Sequence, residues 1–212
     1  MDMNITADQT TVDHIVLEVE DPAAAQRFLD AAFGLGDRVR VRAGDAPTSG
    51  FRGFVLSLVV PQPSDVDSYV DTAVAAGATV VKPGKKNLWG YGAVVQAPDG
   101  TLWKIATQKK KDSGPTTRAV EDFVVLLGVD KVKATKQCYA ERGLTVTKSY
   151  GSRYVEFAPG ASAVTLGLYG RRMAAKDAGV APEGAGSHRL VLAGSVGSFT
   201  DPDGFVWEDV RG

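Results

Sequence analysis

The order of apolar and polar residues predicts a chain in which short β-strands alternate with α-helices. Apolar residues dominate 12–19 and predict a strand, and Asp21-Pro22 then supplies an N-cap and a first helical residue. Apolar positions at helical spacing follow over 23–33. The segment 38–42 alternates arginine with valine, which predicts a strand with its three arginines on one face.

The same order of strand, helix and further strands recurs along the chain. The other predicted helices are 65–76, capped by Ser64, and 132–142, capped by Asp130, with a short helix and loop over 171–186. The other predicted strands are 54–60, 79–81, 91–96, 101–106, 121–129, 144–147, 154–157, 163–169 and 188–192. A polar, lysine-rich stretch broken by Gly-Pro, 108–118, predicts a linker.

Two copies of Pro-Asp-Gly-x-x-Trp, beginning at Pro98 and Pro202, predict tight turns between strands. Proline presets φ, aspartate bonds its own backbone, and glycine accepts a positive φ. Apolar, β-prone residues on both sides make each copy a hairpin. The copies differ after the tryptophan, where the first has Lys104 and the second has Glu208.

The chain repeats internally, because Val19 to Phe28 superposes without a gap on Val129 to Cys138 and the two turns superpose on each other. Four βαβββ units follow, covering 12–52, 53–107, 119–170 and 187–210. The first is short after its helix, and the fourth has no room for one. This pattern predicts an α+β fold with curved, antiparallel-rich sheets around a cleft and helices outside.

These residues resemble the vicinal oxygen chelate superfamily, which includes glyoxalase I, bleomycin-resistance proteins, extradiol dioxygenases and fosfomycin-resistance enzymes. The resemblance rests on strand–Asp-Pro–helix with Phe28-Leu29 inside it, repeated as Cys138-Tyr139, and on the Pro-Asp-Gly-x-x-Trp-Glu ending. It implies a first glyoxalase-like domain over 1–107 and a second over 119–212, joined by the linker. Because this fold hosts many activities, the resemblance does not select a reaction.

The resemblance also implies where a metal would bind, at the first and last strands of two facing units. The first-strand positions are His14, Phe54, Val124 and His188, and the last-strand positions that can be placed are Lys104, Leu166 and Glu208. If neighbouring units pair, each site is incomplete. If the first unit pairs with the fourth, the only two histidines meet Glu208, and two imidazoles with one carboxylate suit Fe(II), Mn(II), Zn(II) or Ni(II).

Two functions from different classes follow from this resemblance. One is a divalent-metal-dependent lyase, isomerase or dioxygenase that acts on a small oxygenated substrate, with His14, His188 and Glu208 as ligands and Glu208 as a catalytic residue. The other is a metal-free protein that sequesters a drug or natural product, as bleomycin-resistance proteins do. Metal analysis of the purified protein distinguishes them.

Four further residues are candidates for contact with a substrate, namely Arg40, Trp89, Tyr91 and Trp103. An arginine holds an anionic group, and an aromatic ring on a cleft wall stacks on a flat ligand. The alternative for Arg40 is the solvated face of its strand, and the alternative for the aromatic residues is the core. No glycine-rich phosphate loop is present, so we expect no nucleotide cofactor.

Composition narrows the partners and the compartment. The 212 residues carry a net charge of −1, so we expect neither a nucleic acid nor a membrane as partner, only a small molecule and, as an open expectation, a second copy in a homodimer. Residues 1–10 show no signal-peptide pattern, and no apolar run approaches a membrane span. A single cysteine, Cys138, fits a reducing cytoplasm and a buried structural role.

Overall fold

The computed structural model describes residues 10–211, which form helices and strands in the predicted order. The prediction about a signal peptide therefore falls largely on residues outside the described part. The helices are α1 (Pro22–Ala32), α2 (Pro63–Ala75), α3 (Val132–Glu141) and α4 (Arg171–Ala178), with a 3-10 helix at Gly36–Arg38. The strands are β1 (Val12–Val19), β2 (Val39–Ala43), β3 (Thr48–Gly50), β4 (Phe54–Val59), β5 (Thr79–Asn87), β6 (Gly90–Gln96), β7 (Leu102–Thr107), β8 (Asp122–Val129), β9 (Val146–Tyr150), β10 (Tyr154–Phe157), β11 (Val164–Gly170), β12 (Gly184–Gly186), β13 (Leu190–Gly194), β14 (Phe199–Thr200) and β15 (Val206–Asp209).

The helix starts follow local capping chemistry, with two corrections to the predicted caps. Helix α1 begins as predicted, because the Asp21 carboxylate accepts a hydrogen bond from the Ala24 amide at 2.9 Å. Helix α2 begins at Pro63 with Gln62 as N-cap, so Ser64 was the wrong cap. Helix α3 has Lys131 rather than Asp130 at its N-cap.

A five-stranded sheet joins the first repeat unit to the fourth. Its strand order is β14-β15-β13-β1-β2, in which β1 is antiparallel to β13 and parallel to β2. The sequence left the pairing of units open, and the structure decides it. Strands from the two ends of the chain therefore share one sheet.

An eight-stranded sheet joins the second unit to the third. Its order is β5-β6-β7-β4-β8-β11-β10-β9, and β4 and β8 meet antiparallel at its centre. Strands β3 and β12 form a separate two-stranded ribbon. Each of the three sheets thus contains strands from both sides of the linker.

One hydrophobic core lies against the helix-covered faces of both large sheets. Alternate residues of the strands point into it, including Ile15, Leu56 and Trp103, and they pack with the helices through side chains such as Phe28 and Tyr69. The mixed helices and strands in curved sheets confirm the predicted α+β class. Within 10–211, no helix is both long and apolar enough to cross a membrane.

Both Pro-Asp-Gly segments are tight turns, as the sequence predicts. Gly100 has φ +87° and Gly204 has φ +90°, the left-handed region that glycine enters without steric cost. The first turn connects β6 to β7, and the second connects β14 to β15. The second turn places Glu208 on β15, in the sheet that also contains His14.

Candidate functional site

The five-stranded sheet has one face turned away from α1, here called the open face. Cross-strand register pairs Val16 with Arg40, Glu18 with Arg42, His14 with Ala193 and Ala193 with Glu208. Residues paired in this way point to the same side of a sheet. The open face consists of His14, Val16, Glu18, Arg40, Arg42, Val191, Ala193, Val206 and Glu208.

His14 and Glu208 lie on the open face, as the pairing of the first and fourth units predicts. Ala193 separates them, so their Cα atoms are two strand spacings apart, about 10 Å. His14 is buried, and its Nδ1 lies 2.8 Å from a carboxylate oxygen of Asp13. The two residues therefore share a surface without touching each other.

Arg42 connects the two carboxylates of the open face. Its Nη1 donates to both carboxylate oxygens of Glu208, at 2.8 and 3.0 Å, and its Nε and Nη2 donate to Glu18 Oε1 at 3.1 and 2.8 Å. The hydrogen bonds from Glu18 and Glu208 raise the pKa of Arg42 above its ordinary value. A fixed guanidinium charge thus lies between the carboxylates, in the place where a bridging metal ion would bind.

His188 does not join His14, so this part of the predicted ligand set is wrong. Because His14 pairs with Ala193, five residues beyond His188, the two histidines are about 16 Å apart along the strand direction. The physical reason is that β13 begins only at Leu190, after Arg189 has turned the chain with φ +51°. Ala193 takes the strand position that the sequence assigned to His188.

The His188 ring instead has a structural role between two distant segments. Its Nδ1 contacts the Arg52 carbonyl, its Nε2 lies 3.0 Å from the Asp203 carbonyl, and the ring stacks on Phe205 at 3.9 Å between centroids. Both nitrogens therefore face backbone acceptors. Neither is directed toward the open face.

In the eight-stranded sheet, the row that corresponds to His14, Ala193 and Glu208 contains no metal-ligand pair. Ser57 is in register with both Lys104 and Val124, and Val124 is in register with Thr165. Lys104 and Val124 therefore stand where the sequence predicted them. Phe54 and Leu166 do not, since the row is formed by residues three positions and one position away.

The donor groups of the open face do not fit a divalent metal ion. Glu18 and Glu208 are both bonded to Arg42, His14 contacts Asp13, and His188 lies elsewhere. A cation between the carboxylates would displace or repel the guanidinium. Among residues 10–211, no three His, Cys, Asp or Glu side chains are grouped to hold an ion. The catalytic role predicted for Glu208 stays a prediction.

Of the four residues proposed to contact a substrate, only Arg40 lies on the open face, where it is exposed. Trp103 is fully buried and stacks on Phe33 at 4.2 Å, which is the core alternative. Tyr91 donates to Asp67 Oδ1 at 2.8 Å on the α2 side, and burial, with that hydrogen bond, raises the pKa of Tyr91 to about 12. Trp89 is 82% exposed in the turn between β5 and β6.

Helix α4 covers part of the corresponding face of the eight-stranded sheet, which the sequence did not reveal. Ala174, Ala175 and Ala178 pack against Val55, Val94 and Leu102 in a second apolar cluster. Asp177 fixes the helix from outside, because its carboxylate accepts from Lys104 Nζ at 2.5 Å and its carbonyl accepts from Lys82 Nζ at 2.8 Å. Three small alanines in eight residues were the available signal, since they permit close approach to a sheet.

Solved structures of glyoxalase I from Zea mays are similar to this chain. One has a TM-score of 0.60 at 13% identity and covers 93% of this chain and 91% of its own. A glyoxalase I mutant from Zea mays has a TM-score of 0.62 at 14% identity, with 96% and 92% covered. No protein-family model and no curated protein sequence matches the chain. The similarity at this identity concerns the fold, and it confirms what the sequence resemblance implied: the chain has the glyoxalase fold of the vicinal oxygen chelate superfamily.

Proposed function

We propose that this protein binds a small organic molecule on the open face without a metal ion. The observation that supports the proposal is the position of Arg42, which holds Glu18 and Glu208 together by hydrogen bonds of 2.8–3.1 Å. A metal-dependent lyase, isomerase or dioxygenase would need those carboxylates as ligands. With the guanidinium in place, the fold serves binding rather than Lewis-acid chemistry.

The open face combines an apolar floor with two positive groups at one edge. Val16, Val191 and Ala193 are buried along its centre, and Val206 is partly exposed. Arg40 lies on the edge strand β2 beside Val16 and is exposed. A ligand with an apolar body and one anionic group would place the body on the valines and the anionic group on Arg40.

The metal-free character is tested by titrating Mn(II) and Zn(II) into the wild-type protein and two arginine variants in a calorimeter. We expect no stoichiometric binding to wild type or to Arg172→Met, a control that removes an exposed arginine of α4. Arg42→Met releases two carboxylates and should increase Mn(II) affinity by roughly tenfold, or ~1.4 kcal/mol. One tight equivalent of metal in wild type, lost in Glu208→Gln, would return the enzyme reading.

Ligand binding is tested by thermal shift with a library of small organic acids and their neutral amides. Acids that stabilise wild type should lose most of their effect in Arg40→Ala and keep it in Arg172→Ala, because only Arg40 is on the open face. Stabilisation that survives both substitutions would place the ligand elsewhere. That result would contradict the assignment of the open face.

A further inference from the structure

A cavity of about 330 Å³ remains at the end of the eight-stranded sheet that α4 does not cover. Its walls include Arg52, Gln96 and Thr101 on one side and Leu102 and Val180 on the other. The loop after α4 closes it on the remaining side. Its volume is at the lower end of the range for small-molecule sites, so it has room for a ligand of a few heavy atoms.

Arg52 is the unusual residue of this cavity. Its side chain is only 8% exposed, and its Nη2 donates to the Asp99 carbonyl at 2.6 Å and lies 3.4 Å from Thr101 Oγ1. Its Nη1 is buried and has no hydrogen-bond partner among the described residues. An unsatisfied donor on a buried charged group is costly, and an acceptor inside the cavity would remove that cost.

The neighbouring charges leave Arg52 only partly compensated. The Asp99 carboxylate is 3.8 Å from Nη2, but it already accepts from the amide and the hydroxyl of Thr101. Glu183, the other acid at the cavity, is exposed. Burial, together with the positive charge of Arg189, lowers the pKa of Arg52, while Asp99 acts in the opposite sense.

We propose that the cavity binds a small organic monocarboxylate, with one carboxylate oxygen on Arg52 Nη1 and a short apolar body against Phe51, Leu102 and Val180. The aromatic and aliphatic walls favour a ligand with an apolar body over an inorganic anion. Asp99 and Glu183 would repel a dianion such as phosphate, whereas one carboxylate balances the one guanidinium. This site is on a different sheet from the open face and does not depend on the proposed function.

The test is calorimetry and thermal shift of the whole protein with sodium benzoate and sodium butyrate. Benzamide is the neutral match for benzoate, phosphate is the dianion, and sodium chloride controls for ionic strength. We expect both carboxylates to bind and to raise the melting temperature, with benzamide and phosphate at least tenfold weaker. Equal stabilisation by benzoate and benzamide, or tighter binding of phosphate, would overturn the proposal.

Variants locate the binding. Arg52→Lys keeps a charge but loses the planar fork, so benzoate affinity should fall at least tenfold, while Arg172→Lys should leave it unchanged. Ala181→Trp fills the cavity from the loop with Arg52 intact and should abolish binding, whereas Ala161→Trp, at an exposed site elsewhere, should not. Arg40→Ala should also bind benzoate normally. Full benzoate affinity in Ala181→Trp, or its loss in Arg40→Ala, would refute the site.

Discussion

At the residue scale, Asp201 shows how a turn residue becomes part of the core. Its Oδ1 accepts from the amides of Asp203 and Phe205 at 2.9 and 2.8 Å, and its Oδ2 accepts from the Tyr139 hydroxyl at 2.5 Å. Trp207 Nε1 donates to the same hydroxyl at 3.3 Å. The network ties α3 to the second Pro-Asp-Gly turn, and burial raises the pKa of both Asp201 and Tyr139.

Asp201→Asn should change how stability depends on pH. A carboxyl whose pKa is raised in the folded protein binds its proton more readily when folded, so this contribution favours folding at low pH and is lost as pH rises through the folded-state pKa. The free energy of unfolding of wild type, minus that of the variant, should therefore fall between about pH 4 and pH 7, by about 1.4 kcal/mol per unit of pKa difference. Urea unfolding at each pH measures it.

Asp37→Asn, at an exposed position, is the control for that comparison. Its difference from wild type should stay nearly flat over the same pH range. A difference for Asp201→Asn that is equally flat, or that rises with pH, would contradict the assigned origin of the shift.

At the element scale, the predicted linker 108–118 is held firmly against the start of α2. The Gln62 side chain donates to the Gly114 and Pro115 carbonyls and accepts from the Ser113 and Gly114 amides, at 2.8–3.1 Å. Asp65 Oδ1 accepts from the amides of Thr117 and Arg118, both at 2.7 Å. The lack of helix or strand was predictable, but the buried anchoring contacts were not.

Asp65→Ala should destabilise the protein by about 2–4 kcal/mol, because two buried amides lose their acceptor and each costs roughly 1–3 kcal/mol when unsatisfied. Asp71→Ala, an exposed acid on the same helix, should change stability by less than about 0.5 kcal/mol. Chemical denaturation measures both. Equal effects of the two substitutions would show that the linker is not held through Asp65.

At the scale of the whole molecule, the large sheets cross the boundary between the two halves of the sequence. Strand β1 needs β13, and β4 needs β8, as partners across the centres of the two sheets. The core is correspondingly continuous. The halves are therefore repeats in sequence but do not each contain a complete sheet.

Cutting the chain between Lys110 and Lys111 should give two fragments that fold only together. Each fragment alone lacks partners for its central strands and would expose apolar strand faces, so neither should show a cooperative unfolding transition. An equimolar mixture should recover one, with the circular dichroism of the intact protein. Cooperative unfolding of either fragment alone would refute the interdependence of the halves.

Local chemistry determined much of what could be predicted from the sequence. The strand 12–19, the helix after Asp21-Pro22 and the Pro-Asp-Gly turns depend on residues only a few positions apart, so spacing and turn chemistry suffice to identify them. The repeat of these elements was enough to indicate the fold. It also placed His14 and Glu208 correctly on one sheet face once the first unit pairs with the fourth.

Only the tertiary structure decided which groups meet. His188 bonds a carbonyl 136 positions away, Arg42 bonds a carboxylate 166 positions away, and α4 packs on strands far from it in sequence. Spacing within one element contains no information about such contacts, because they depend on strand register and on how sheets and helices pack. A shift of a few residues in where β13 begins was enough to move His188 away from the open face, and long-range packing left Arg42 between the two carboxylates.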